Sequence, residues 1–158
     1  MPGNNFERML QLVDEVFSVR NDPSQLEVNE EVMEKLKSLH PSTLSEYSDE
    51  NGPAVWILLI PTTLEVMHKF LKGDITEKQI LELTSAKIPF TSLYLCSAIA
   101  LPEYRKKGIA KRITTEAIES IMKNNPIKAF FVWPFSNEGE GLSELIAAKY
   151  KLPLHKKK

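Results

Sequence analysis

Leu101-Pro102-Glu103-Tyr104-Arg105-Lys106-Lys107-Gly108-Ile109-Ala110-Lys111-Arg112 joins two segments of opposite character. Ahead of it, Ser92 to Leu101 is rich in apolar residues, has no helical spacing and reads as a central strand that Pro102 ends. Behind it, Ala110, Ile113, Ala117 and Ile121 share one face of a helix expected from about Gly108 to Lys123, with Asn124-Asn125-Pro126 as its stop. A strand-to-helix loop presents unpaired backbone N–H groups at the positive end of a helix dipole, which makes it an anion site. Gly108 lets the main chain approach a phosphate with no Cβ in the way, and Ala110 keeps the next turn slim. Arg105, Lys106, Lys107, Lys111 and Arg112 add compensating charge, so a diphosphate suits the loop. A solvated charge run is the plainer reading, but strand, glycine and helix start coincide here. The sequence has neither a G-x-x-x-x-G-K-[ST] run nor a G-x-G-x-x-G after a strand, which excludes the two commoner phosphate loops.

Downstream, Lys128 to Trp133 reads as a third strand and Leu142 to Tyr150 as a last helix with Leu142, Leu145 and Ile146 inward. Strand, loop, helix, strand, loop, helix describes a βαβ unit with adjacent parallel strands. Upstream, Ala54 to Ile60 reads as a strand buried on both faces and ended by Pro61, with Asn51-Gly52 as a candidate hairpin turn into it. Pro41 to Pro53 is otherwise polar and turn-rich. Two amphipathic helices come first, one over Asn4 to Arg20 and one beginning at the N-cap candidate Asn29 and stopped by His40-Pro41. Thr62-x-x-Glu65 and Thr76-x-x-Gln79 are capping-box patterns for two short helices separated by Gly73. The expected architecture is a mixed central β-sheet with flanking helices, an α/β fold in a single domain over residues 1 to 158.

The charge is unevenly placed. Residues 1 to 80 carry 7 Lys and Arg against 14 Asp and Glu, whereas residues 81 to 158 carry 13 against 7, so a phosphorylated or polyanionic ligand belongs with the second half. Nucleic acid is disfavoured, because aromatic residues are not interleaved with the bases and no helix-turn-helix pair is evident. The longest apolar run, Ala54 to Ile60, is too short to span a bilayer, and no secretory signal opens the sequence, so no membrane partner and a cytoplasmic location are expected. Cys96, the one cysteine, sits mid-strand as a core thiol, and His40, His68 and His155 lack ligand spacing, so no metal is expected.

Pro102-x-Tyr104-Arg105-x-x-Gly108-Ile109-Ala110, closing an apolar strand and opening a long helix, resembles motif A of the GNAT superfamily, the GCN5-related N-acetyltransferases. Arg105, Gly108 and Ala110 fill the [QR]-x-x-G-x-[GA] signature, and the next strand and Asn137 beyond it follow in the family's order. The resemblance spans Leu93 to Tyr150, and the two N-terminal helices fit the same plan. It implies acetyl-CoA lying in a V between strands that end near Ala100 and Trp133. The backbone of Ala98, Ile99 and Ala100 would pair with the pantetheine arm. The amides from Lys106 to Lys111, Ile109 included, would hold the pyrophosphate, and Asn137 would touch the pantetheine.

The implied reaction is direct attack of a primary amine, on a small molecule or a peptide, upon the acetyl thioester. The sequence departs from the family at the catalytic groups. If Tyr150 replaces the family's Phe, Leu145 stands where a catalytic Tyr is usual, and Leu93 to Leu101 contains no Asp or Glu, so no acid or base is assigned. Tyr94 and Ser97 lie on the cofactor strand, and Trp133-Pro134-Phe135-Ser136-Asn137 either shapes an acceptor pocket or closes the core. The segment Thr62 to Lys87, inserted between two central strands, is the expected seat of acceptor specificity. Family members usually continue into a two-stranded hairpin, whereas Leu152 and Leu154 are expected to form at most a short strand, so the missing hairpin is expected either from a partner subunit such as a second copy or not at all, in a shorter sheet. The absent acid/base pair favours a non-catalytic CoA-binding or interaction module, and the intact phosphate loop favours the enzyme.

Overall fold

A computed structural model describes residues 5–20, 26, 29–134 and 137–157, apart from the side chains of 16–20, 137 and 138. Five strands lie side by side in chain order: β1 (Leu44–Asp49), β2 (Gly52–Thr62), β3 (Ser92–Ala100), β4 (Ala129–Val132) and β5 (Leu154–Lys156). β1–β2 and β2–β3 are antiparallel, whereas β3–β4 and β4–β5 are parallel, so the sheet is mixed. The helices are α1 (Asn5–Arg20), α2 (Glu30–Leu39), α3 (Leu64–Lys72), α4 (Glu77–Glu82), α5 (Ile109–Met122) and α6 (Asn137–Tyr150). The expected βαβ unit is β3, α5 and β4.

Strand alternation assigns the two faces. Phe130 meets Tyr150 of α6, while its neighbour Phe131 meets Phe70 of α3. Phe70 is fully buried and also lies edge-on to Tyr94, whose ring stacks on Phe131 with centroids 4.8 Å apart. The inserted segment therefore closes one face of the sheet, and α5 with α6 closes the other.

Several expectations need correction. Leu44 to Asp49 is a strand, not turn material: it is the sheet's edge, half wet, and its polar alternation hides it. The hairpin corner is Glu50-Asn51, one residue earlier than expected, with Gly52 just past it at φ +109°. Pro61 does not end β2 but pairs with Leu93. The amide of Leu59 bonds Thr43 O on the β1 side, so the missing donor at Pro61 points the same way, past the end of β1, where no ladder bond is lost. The cap of α3 is Thr63, whose side chain accepts from the Val66 amide, because Thr62 is still buried in the strand with its hydroxyl on Thr84. The Thr76–Gln79 capping box forms as expected. The last helix begins at Asn137 rather than Leu142, and Leu145 faces outward at 56% exposure, leaving Leu142, Ser143 and Ile146 inward.

Candidate functional site

The phosphate loop is built from its backbone. A 3₁₀ turn over Pro102–Tyr104 leads to Arg105 in extended geometry, Lys106 at φ +62° and Gly108 at φ +76°. A lysine in the left-handed region is uncommon and marks a backbone held for a purpose. A Cβ built on Gly108 meets nothing within 4 Å, so the loop's concave side is open. Helices α2, α3 and α4 each have a side-chain N-cap and an acid in the first turn, whereas α5 has neither. Its first amides and the exposed Lys106, Lys107, Lys111 and Arg112 therefore face solvent at a positive helix end, and Ile109 and Ala110 open the first turn between them.

Groups distant in sequence hold this loop from behind. Glu103 accepts two bonds from Arg8 of α1, at 2.6 and 2.7 Å, and the hydrogen bond from Arg8 pulls its pKa down to about 2. The Tyr104 hydroxyl donates to Asp49 of β1, and that bond raises its pKa. Lys107 lies over the Tyr104 ring and Arg112 over the Tyr47 ring, 5.9 and 5.6 Å from the centroids.

Beyond the loop the sheet opens. β3 and β4 are paired only from Ser92–Ala129 to Tyr94–Phe131, after which the strands part. The parting coincides with a bulge: Leu58 pairs with Ser97 and Leu59 with Leu95, which leaves Cys96 as the extra residue on β3. The cleft that follows is open to solvent and lies between Leu95 to Ala98 on one wall and Val132 to Pro134 on the other. Thr114, Glu140, Leu142, Ser143 and Ile146 form its floor.

The pairing register decides which backbone groups face the cleft. The Leu101 amide bonds Ala54 O on β2, so by alternation Ile99 also spends its backbone on β2, while Ala98 and Ala100 turn theirs to the open edge. Arg105 Nε donates to Ala100 O at 2.9 Å, which fastens the loop to the strand end and leaves Ala98 as the open position.

The remaining candidates separate. Ser97 and Cys96 line the cleft. Tyr94 does not: it is fully buried, and its hydroxyl donates to Glu77 Oε2 at 2.5 Å. The Glu77 carboxylate, only 2% exposed, also accepts from the Leu26 amide at 2.5 Å and has the Cys96 thiol 3.9 Å away, tying α4, β3 and the segment before α2 together. Trp133 and Pro134 line the cleft, whereas Phe135, Ser136 and the Asn137 side chain lie outside the described residues. His68 and His155 meet edge to face with centroids 6.5 Å apart, and no group of three metal-ligating side chains forms among the described residues. Glu140 escaped the sequence reading, with a faint signal in the Glu140–Glu144 spacing on one helix face, and Phe70 is legible only as part of the apolar period Val66, Phe70 and Leu71 of its helix.

No protein-family model matches the sequence, and no curated relative matches it. Among solved structures the chain is similar to Naa20 of Chaetomium thermophilum, a GNAT N-acetyltransferase, in complex with a bisubstrate analogue. The TM-score is 0.50 at 11% identity, and the likeness covers 87% of this chain and 65% of that one. The fold is GNAT-like, as the loop resemblance implied, and the chain spans just under two thirds of its neighbour's length. Among the described residues, no helix is long and apolar enough to cross a membrane.

Proposed function

We propose that the chain is an acetyl-CoA-dependent N-acetyltransferase that transfers the acetyl group to a primary amine by direct attack. The observation that carries this reading is the uncapped, cationic start of α5 in the loop that follows β3, the strand whose outer edge opens away from β4. A diphosphate at the amides from Lys106 to Lys111 lets the pantetheine arm run along the open edge of Ala98 toward the bulge at Cys96. The thioester then lies where the cleft passes between the two faces of the sheet. The fold shared with an enzyme captured with a bisubstrate analogue supports the same reading. The inserted α3 and α4 flank the face open to the acceptor, which favours a peptide or small-molecule amine read by that segment.

Calorimetric titration with acetyl-CoA tests it. Micromolar binding is expected, about −8 kcal/mol. Gly108→Glu, which puts a carboxylate into the anion cradle, is expected to abolish it. Gly108→Ala is the control that introduces the same backbone strain without the charge. Retained binding in Gly108→Glu, or none in the unaltered chain, overturns the cofactor assignment. Binding without CoA thiol release in the presence of amines leaves a CoA-binding module.

A further inference from the structure

Two of the chain's own lysines contact residues that line the cleft. Lys156 Nζ is 3.1 Å from Glu140, which belongs to the cleft floor, and 3.6 Å from Glu144. Lys157 projects to the opposite face. Its amide bonds Val132 O at 2.9 Å, extending β5 along the diverging end of β4. Its ammonium lies 5.1 Å from the Phe70 centroid and 5.9 Å from that of Trp133, a residue of the cleft wall. Phe70 and Trp133 stand edge to face at 6.0 Å, so together they offer a π surface that suits an alkylammonium. This is the α3 face. On the acetyltransferase reading the cofactor arm enters the cleft along β3, and Trp133, which lines the cleft and lies under the Lys157 ammonium, is the residue the two share.

We propose that Phe70 and Trp133 form a subsite for a lysine-type alkylammonium and that Lys157, already seated there, is acetylated by the chain's own cleft. The inference rests on the acetyltransferase reading above. In the step, the Lys157 ammonium first gives a proton to water at the open mouth, and the freed Nζ attacks the thioester carbonyl carbon. The N–C bond forms, the C–S bond breaks, and the CoA sulfur leaves with the electron pair and is protonated. The second proton lost from nitrogen goes to water through the open mouth. Lys156 is the anchor and not the acceptor: its hydrogen bond to Glu140, supported by Glu144, raises its pKa and keeps it an ammonium. Acetylation removes the charge of Lys157, and the acetylated side chain then stands in the acceptor's place, which makes the modification self-limiting.

The test uses the full chain with acetyl-CoA, a protease that does not cut at lysine, and acetyl occupancy at each lysine followed over time at two protein concentrations. Lys157 is expected to label at least about tenfold faster than the exposed Lys72 and Lys151, at a rate per molecule that dilution leaves unchanged. Added n-butylamine should slow this labelling and become acetylated itself. Lys157→Arg, which keeps a cation on the rings, should remove the fast phase. If Lys157 labels no faster than Lys72 and Lys151 while calorimetry shows acetyl-CoA bound, the self-acetylation is wrong and the proposed function stands. If acetyl-CoA does not bind, both fall.

Discussion

The two sides of the cleft are held by different means. On the loop side the geometry belongs to the backbone, with Lys106 and Gly108 in left-handed conformations and α5 starting without a side-chain cap. The supporting contacts, Arg8 on Glu103 and Tyr104 on Asp49, grip the loop at a partly exposed surface. On the α3 side the geometry belongs to packed rings: Phe70, Tyr94, Phe131 and Trp133 touch one another, and the first three are fully buried. A backbone cradle tolerates the loss of single exposed side chains, because its donors are amides. A ring cluster tolerates neither truncation nor charge. Substitutions on the loop side should therefore move ligand affinity more than stability, and those on the α3 side should do the reverse.

The sharpest way to break this contrast is Phe70→Ala. Deleting a fully buried ring that contacts three others is expected to cost about 3–5 kcal/mol, read as a fall in denaturant midpoint, with acetyl-CoA affinity of the folded fraction unchanged. A loss of affinity equal to that of Gly108→Glu would show the two sides to be one unit. Glu77→Ala comes next. It removes an acceptor of the Tyr94 hydroxyl and the Leu26 amide, for about 1–3 kcal/mol. Glu77→Gln restores an acceptor and should recover part of the loss. An alanine variant as stable as the unaltered chain would remove the carboxylate from any structural role.

The same contrast explains what the chain discloses on reading. The loop side occupies consecutive residues, Pro102 to Arg112, so its strand, glycine, charge and helix start are visible together, and the GNAT resemblance they carry implied the opening between β3 and β4. The α3 side brings Phe70, Trp133, Glu140 and Lys157 together from four elements, and no local pattern connects them. β1 was hidden because a wet edge strand reads as loop, and Pro61 misled because its missing donor happens to face past the end of β1. Leu145 misleads because an apolar residue three places after Leu142 reads as inward, whereas the inward face runs through Gly139, Leu142, Ser143 and Ile146.

Gly108→Ala tests the backbone side with a smaller effect. Its Cβ has open space, so the only cost is the left-handed conformation, about 1 kcal/mol of stability. Acetyl-CoA affinity should fall by no more than a few-fold. A loss as complete as in Gly108→Glu would mean that contact with the Cα, and not charge, decides binding, and the diphosphate would have to lie flat against residue 108.

The smallest effect concerns the grip on the loop. Because Arg8 holds the Glu103 carboxylate at a pKa of about 2, down from 4.5, the pair's contribution is complete above pH 4.5 and is lost as the pH falls through the range to about 2. Glu103→Gln removes the titration, so the difference in thermal midpoint between the two proteins should be constant from neutral pH to about 4.5 and close below it. Both side chains are exposed, so the difference should also shrink with salt. A difference that ignores both pH and salt would mean that Glu103 fastens the loop through packing rather than charge. The loop side would then be held as the α3 side is, and the contrast between them would fail where it is most easily measured.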